Sequence, residues 1–347
     1  MEGKKLPTVY DIAKKAGVSV ATVSRVINHP DIVKRPTYQK VLDAMNTLGY
    51  QKLASSENNV HGHRSIHTYE NHKSRENLLF LINMPSNNNP FYGDIIEGAQ
   101  SAARRHGHFL LSSCLNLNDF SIDSLFLLVN NHHISGIINT TDTPYHLLMR
   151  IQNTMPIVQC SEYNETCTSV SYVSIDDIEA SRKAVEYAIS TGHKKVAILN
   201  STYRFHYADR RKTGYALALL GAGLEIVPEW VIQIPDVDFS MAYSAASKLF
   251  ALPNPPDAVF TISDIFAAAT IKAAAAAGLR VPQDVIVIGF DNINVSITTT
   301  PSITTVGQPR YQLGYTAFEI LLNETMNPNT PKQQILLDTE LIIREST

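Results

Sequence analysis

Cysteine is scarce in this 347-residue chain: Cys114, Cys160 and Cys167 are odd in number and lack metal-ligand spacing. That argues against a disulfide framework or a zinc ribbon and points to a reducing cytoplasm. No apolar run is long enough to span a bilayer, so no membrane partner is expected. Lys4 and Lys5 precede no apolar h-region, so no export signal is expected either. Catalytic signatures are also missing. No G-x-G-x-x-G follows a leading strand, no P-loop is present, and no nucleophile–His–acid set is placed. The chain reads as a non-enzyme without cofactor or metal. His106-x-His108 and His132-His133 read as helix-end surface residues, and Asp176-Asp177 as helix caps.

Excess charge is small too, at −3, but it is unevenly placed. Residues 1–75 hold 12 Lys/Arg against 6 Asp/Glu, while the remainder holds 17 against 26. A basic end on an acidic body suits a DNA-binding module joined to a ligand-binding one. Hydrophobic residues make up 44% of the chain, enough for a sizeable core, and the length suits two or three domains.

Residues 8–28 carry the most information. Thr8 with Asp11 resembles a capping box, Ile12, Ala13 and Ala16 form an apolar face, and Gly17 suits a left-handed helix end. Ser19 can cap a second helix. At 100° per residue, Val20, Val23, Val26 and Ile27 share one arc of that helix. Ala21, Arg25 and Asn28 face the other way, with Ser24 beside them. A face of small residues with one Arg and one Asn suits close approach to base edges. Two helices so joined form a helix-turn-helix.

Asp11-Ile12-Ala13, Ala16-Gly17-Val18-Ser19 and Thr22-Val23-Ser24-Arg25-Val26-Ile27-Asn28 closely resemble the headpiece of the lactose-repressor (LacI/GalR) family of bacterial transcription regulators. The resemblance implies base contacts from Val20, Ala21 and Arg25, with Thr22, Ser24 and Asn28 nearer phosphates. It also implies a third headpiece helix over residues 33–50. Lys34 stands where the family usually has Ser, and it cannot accept backbone N–H bonds, so that helix start is expected to fray. Pro36 in the first turn is compatible with a helix start.

Residues 51–77 lack helical periodicity and are rich in Asn and His, which predicts a flexible linker with a reach of roughly 30 Å. His61, His63, His67 and His72 lack the further ligands of a metal site. The family's short hinge helix, with its Ala-Arg-x-x-Leu-like core, has no counterpart here. Leu53 is the nearest apolar candidate for a minor-groove wedge, and the sequence leaves open whether residues 51–77 form a hinge helix on DNA.

From residue 78 strands alternate with helices. Apolar segments at 78–84, 109–114, 136–139 and 156–160 are followed by a second series starting near Val173, with strands at about 195–199, 231–234, 257–262 and 284–289. Helices are expected over 92–106, 177–191, 209–222, 239–252 and 264–277. The fold class is therefore α/β: an all-α helix-turn-helix headpiece (1–50), a linker (51–77), and a body (78–347) of two tandem doubly wound parallel subdomains.

The family resemblance extends over the body, where it implies a periplasmic-binding-protein-like fold. It rests on Asn89-Pro90-Phe91-Tyr92, Arg211-Lys212-Thr213-Gly214-Tyr215, Ile288-Gly289-Phe290-Asp291-Asn292 and Thr304-Thr305-Val306-Gly307-Gln308-Pro309. It implies three crossings between subdomains, near 174–177, 301–307 and 328–334. The first subdomain would then comprise about 78–174 and 307–328, and the second about 177–301 and 334–347. Leu252-Pro253-Asn254-Pro255-Pro256, Gly307-Gln308-Pro309-Arg310-Tyr311 and the segment 338–347 look most like the cytidine-repressor branch.

Ligands of such sheets sit at the carboxyl ends of the strands. Phe91 and Tyr92 follow the first body strand and suit stacking on a base or sugar. Asp291 can accept from ribose hydroxyls or a base amino group. Ser263 and Asp264 end the preceding strand, with Asp264 equally a helix cap. Ser161, Phe205, Tyr207 and Phe239 are rim candidates. Arg211 is read either as a cleft residue or as part of a structural ion pair. Purine-binding relatives place an Arg near 205, where this chain has Phe205 beside Arg204, so a purine is not expected. The leading expectation is a cytoplasmic repressor, a homodimer on double-stranded operator DNA, modulated by a small effector such as the nucleoside cytidine. The cytidine-repressor likeness also implies a second DNA-bound regulator as partner. A sugar or purine effector, or a transporter's solute-binding protein, are the alternatives.

Overall fold

A computed structural model describes residues 9–20, 22, 23, 26, 33–48, 77–85, 89–115, 117–119, 121–202 and 205–347. Its internal contacts divide the chain into two units, Met1–Lys73 and Ser74–Thr347.

In the first unit, helix α1 (Val9–Ala16) ends as its sequence dictates. Gly17 takes φ +64°, and the Val18 N–H reaches back to the Ala13 carbonyl at 3.1 Å, a Schellman closure. The Ser19 hydroxyl then accepts from the Thr22 N–H at 3.1 Å, which starts the second helical stretch. Ile12, Ala13, Val23 and Val26 bury together with Val41 and Ala44 of α2 (Arg35–Leu48). The α2 helix begins directly after Lys34, whose backbone carbonyl takes the first bonds from Thr37 and Tyr38. The expected third helix is thus present as Arg35–Leu48. Thr8, Ile27, most of the 51–77 linker and its four histidines lie outside the described residues.

The second unit holds two six-stranded sheets. The first contains β1 (Leu79–Asn83), β2 (Phe109–Ser113), β3 (Ile134–Asn139), β4 (Ile157–Cys160), β5 (Ser171–Ile175) and β11 (Gln334–Leu337), in the order β11-β5-β4-β3-β1-β2. All of its pairings are parallel. The second contains β6 (Val196–Ser201), β7 (Val231–Ile234), β8 (Ala258–Thr261), β9 (Ile286–Asp291), β10 (Thr304–Gly307) and β12 (Glu340–Ile342), in the order β12-β10-β9-β8-β6-β7. In both sheets the inner strands follow the doubly wound order 2-1-3-4-5, which opens a crevice beside the leading strand. The central strands are buried on both faces and read as continuous apolar runs, as covered parallel strands must.

Two crossings differ from expectation. The second falls after Gly307, because β10 still pairs with β9 in the second sheet. The third falls between Leu337 and Glu340 rather than at 328–334, because β11 pairs along β5 and widens the first sheet. A buried group sets this register: the Glu324 carboxylate accepts from Ser171 and from Lys332 Nζ, and the Ser171 hydroxyl accepts from the Gln333 N–H at 2.8 Å. Segment 334–337 therefore belongs with the first subdomain. The last strand also departs from the parallel pattern, since β12 runs antiparallel to β10.

Helix α3 (Tyr92–Arg105) packs against α11 (Arg310–Met326) on the first sheet, backbone to backbone. A Cβ built on Gly98 would lie 2.0 Å from the Tyr311 carbonyl oxygen, and one on Gly314 would lie 1.8 Å from that of Ile95. Among the described residues no helix is long and apolar enough to cross a membrane.

Candidate functional site

The carboxyl ends of the strands from both sheets face one cleft of about 550 Å³ within the second unit. On its first wall, the Asn89 side chain accepts from the Phe91 N–H at 3.0 Å and seats Phe91 at the start of α3. Phe91 is buried and meets Tyr92 edge-on, with ring centroids 5.2 Å apart. After β4 the chain turns through Ser161, at φ +71°, into Glu162. The Ser161 carbonyl is held by the Ser174 hydroxyl at 2.6 Å.

On the second wall, Phe205 and Tyr207 stack with centroids 5.5 Å apart at the start of α7 (His206–Gly221). One turn on, Arg211 is buried. Its Nε donates to Asp177 at 2.7 Å, one terminal nitrogen donates to the Ile262 carbonyl at 2.6 Å, and that nitrogen lies 3.6 Å from the Asp291 carboxylate. The guanidinium sits 3.6 Å over the Phe290 ring, a desolvated cation–π contact. Asp291 ends β9 at φ +103° and accepts from Gln308 Nε2 at 2.7 Å. Two non-glycine residues in the left-handed region, each at a strand end on the cleft wall, mark where the backbone is held against its preference.

Burial raises the carboxyl groups here. Asp291 is pushed up to about 6 by desolvation, although Arg211 and the Gln308 hydrogen bond pull the other way. Glu162 is pushed up to about 8 by desolvation and by the charges of Asp177 and Asp142, with Arg211 opposing. The Tyr92 phenol lies well above its ordinary value, first through burial and then through Glu162. Ionisable groups displaced by desolvation beside a specific charge partner in a cleft make it a candidate binding site.

Eight of the ten effector candidates line this cleft: Phe91, Tyr92, Ser161, Phe205, Tyr207, Arg211, Ser263 and Asp291. Arg204 lies outside the described residues. Two candidates do not line it. Phe239 starts α8 (Phe239–Phe250), is 37% exposed, and has the Lys272 ammonium 5.7 Å from its ring centroid. The cleft is lined instead by Asp236 and Val237, before Asp238 caps that helix. Asp264 is fully buried as the first residue of α9 (Asp264–Ala276), accepting from the Ile293 N–H at 2.8 Å and the Thr305 hydroxyl at 2.6 Å. It ties strand β10 to the loop that follows β9 in the second sheet. The cap of α9 is Ser263, whose hydroxyl accepts from the Phe266 N–H.

Sequence reading did not single out Glu162 or Gln308. Glu162 follows an apolar strand just as Asp291 does, so the rule that found one would have found the other. Asp176 caps α6 (Asp177–Ser190) as expected, accepting from the Ile178 and Glu179 N–H groups, but Asp177 turns to Arg211 instead. Among the described residues no cluster of three or more His, Cys, Asp or Glu side chains can hold a metal.

Of the DNA-binding candidates, Val20 is half-buried against the headpiece core, and the Thr22 hydroxyl lies 2.8 Å from that of Ser19. Ala21, Ser24, Arg25 and Asn28 lie outside the described residues.

Residues 8–52 match the family of bacterial regulatory proteins, lacI family, and residues 185–347 match a periplasmic binding protein-like domain. The chain is 31% identical over 342 residues to the HTH-type transcriptional repressor CytR of Escherichia coli strain K12, covering 98% of this chain and 96% of that one. It is 32% identical over 345 residues to the probable HTH-type transcriptional repressor ExuR of Bacillus subtilis strain 168, covering 98% of each. Its fold is similar to that of the transcriptional regulator CelR solved with cellobiose, with a TM-score of 0.71 and 28% identity over 98% of this chain and all of that one.

Proposed function

The chain belongs to the lacI family of bacterial regulatory proteins, and from that footing we propose that its cleft takes a nucleoside such as cytidine as the effector that governs operator binding. The protein is a DNA-binding transcription regulator with a ligand-binding body. One observation carries the nucleoside reading: aromatic rings stand on both walls of the cleft, Phe91 and Tyr92 on one and Phe205 and Tyr207 on the other, and the hydrogen-bonded pair Asp291–Gln308 lines the same cleft. Rings suit the faces of a base, and the carboxylate suits ribose hydroxyls or an exocyclic amino group.

A ligand touching both walls binds the closed arrangement better than the open one, and that difference alone moves the equilibrium. In this reading the protein acts as a cytoplasmic homodimer, and two headpieces grip a pseudo-palindromic operator through Val20, Ala21, Thr22, Ser24, Arg25 and Asn28. A second reading, a sugar effector, draws on the likeness to the cellobiose-bound CelR structure and on the many carboxylates along the cleft.

Thermal denaturation against cytidine, uridine, adenosine, hypoxanthine, ribose, galactose, lactose and cellobiose separates these readings. A ligand present at 100 times its dissociation constant adds about 2.7 kcal/mol. A shift with cytidine supports the nucleoside; a shift with a sugar or hypoxanthine alone overturns it.

A further inference from the structure

Charge in the cleft is one-sided. Asp142, Glu162, Asp177, Asp236 and Asp291 line it, and among the described residues the one lining cation is Arg211. That guanidinium is already engaged by Asp177, the Ile262 carbonyl and Asp291. Glu162 stands apart from the other acids. It is only 7% exposed, the Tyr207 backbone N–H donates to its carboxyl group, and its Oε2 has no hydrogen-bond partner among the described residues. Burial raises Glu162 to about 8, so near neutral pH the free cleft holds it mainly protonated, and an occupant that supplies a donor to Oε2 stabilises the ionised form and displaces the proton on binding. An occupant that brings an anion instead opposes the ionisation of Glu162 and meets the other acids that line the cleft.

We infer that Glu162 sets the specificity of this cleft, selecting an uncharged or cationic ligand that presents an O–H or N–H donor to Oε2 and excluding ligands that carry a phosphate or carboxylate. This rests on the reading of the cleft as the effector site and narrows it: a nucleoside rather than a nucleotide, or a neutral or amino sugar rather than a sugar phosphate or uronate. Glu162→Gln is nearly isosteric. With the Tyr207 N–H held by the remaining carbonyl oxygen, the substitution leaves an amide donor that cannot shed its proton, where the ligand's donor needs an ionised acceptor.

The test uses matched pairs on the full chain: cytidine and cytidine monophosphate, uridine and uridine monophosphate, glucose and glucose 6-phosphate, galactose and galacturonate, with glucosamine as the cationic member. Melting shifts are read for wild type and Glu162→Gln. The expected result is a shift with a neutral or cationic member, none with its anionic partner at equal concentration, and at least a tenfold loss of affinity in Glu162→Gln. An anionic member that stabilises the protein as well as its neutral partner overturns the inference, as does a Glu162→Gln affinity within twofold of wild type. A neutral sugar as the sole binder sinks the nucleoside reading and leaves this one standing.

A ligand-free arm decides the case in which nothing in the panel binds. Asp177, Asp142, Arg211, Tyr207 and Tyr92 surround Glu162, and burial raises it to about 8. A carboxyl raised on folding stabilises below its unfolded pKa, and that contribution is lost as the pH climbs through the folded value. Wild type should therefore melt progressively below Glu162→Gln between pH 5 and pH 9. Parallel melting curves across that range mean that Glu162 has no unmet need for a donor, and overturn the inference.

Discussion

Individual residues divide into those whose role is set by neighbours in sequence and those whose role is set by the fold. Asp176 and Asp177 are adjacent and chemically identical. Asp176 sits where the backbone is extended and accepts from two N–H groups, while Asp177, one residue into the helix, meets Arg211 34 positions away. Both partners of that pair are buried, so removing one leaves a charge in low dielectric. Asp177→Ala should cost about 3–5 kcal/mol, softened by Asp291, and urea denaturation checks it. Asp291→Ala should abolish the effector response and spare operator affinity; effector titration with unchanged affinity would remove Asp291 from the site. On the DNA side, Arg25→Ala should cost about 1–3 kcal/mol and relax the preference at one base pair. Competition with single-base operator variants reads this out, and a uniform loss across all variants would assign Arg25 to a phosphate instead.

Elements were legible wherever their signals are local. Gly17, Ser19 and the apolar arc place two helices and a turn without reference to the rest of the chain, and the structure closes that turn through Ala13 and Val18. Helix ends in the body follow the same logic: the stretch ending at Ala276 stops before Gly278, whose φ is +78°. What composition does not reveal is which helices touch. Gly98 and Gly314 lie 216 positions apart in sequence and serve the same contact. Gly98→Ala drives a methyl group into the Tyr311 carbonyl and should destabilise the protein by about 1–3 kcal/mol. Gly93→Ala, in the same helix, meets nothing within 4 Å and should be neutral or slightly stabilising. Parallel melts of the two variants separate the helix contact from glycine propensity.

At the scale of the whole molecule the chain is modular, and the boundary between its units falls at Lys73 and Ser74. A chain beginning at Ser74 should keep the effector-induced melting shift and lose operator binding, measured by calorimetry and by gel shift on the same preparation. The body itself is less divisible. Its last fourteen residues supply β11 to one sheet and β12 to the other, and Ser346 hydrogen-bonds to Val287 and Thr304. The third crossing was misplaced by sequence reading because an edge strand such as β11, with alternating exposure, carries a weaker pattern than the buried strands beside it.

The sequence by itself determined what neighbouring residues decide: the helix-turn-helix, the alternation of strands and helices, the strand ends where a ligand site forms, and the family likeness that those motifs carry. Short-range geometry and hydrophobic period are enough for each. Only the tertiary structure decided what depends on partners far along the chain. It set Asp264 to bracing β10 rather than facing the cleft, joined Arg211 to Asp177 and Asp291, and gave β11 to the first sheet. It also left Glu162 buried with one oxygen unmet among the described residues. The cost of burying a polar group depends on what surrounds it after folding, and no local pattern encodes those surroundings.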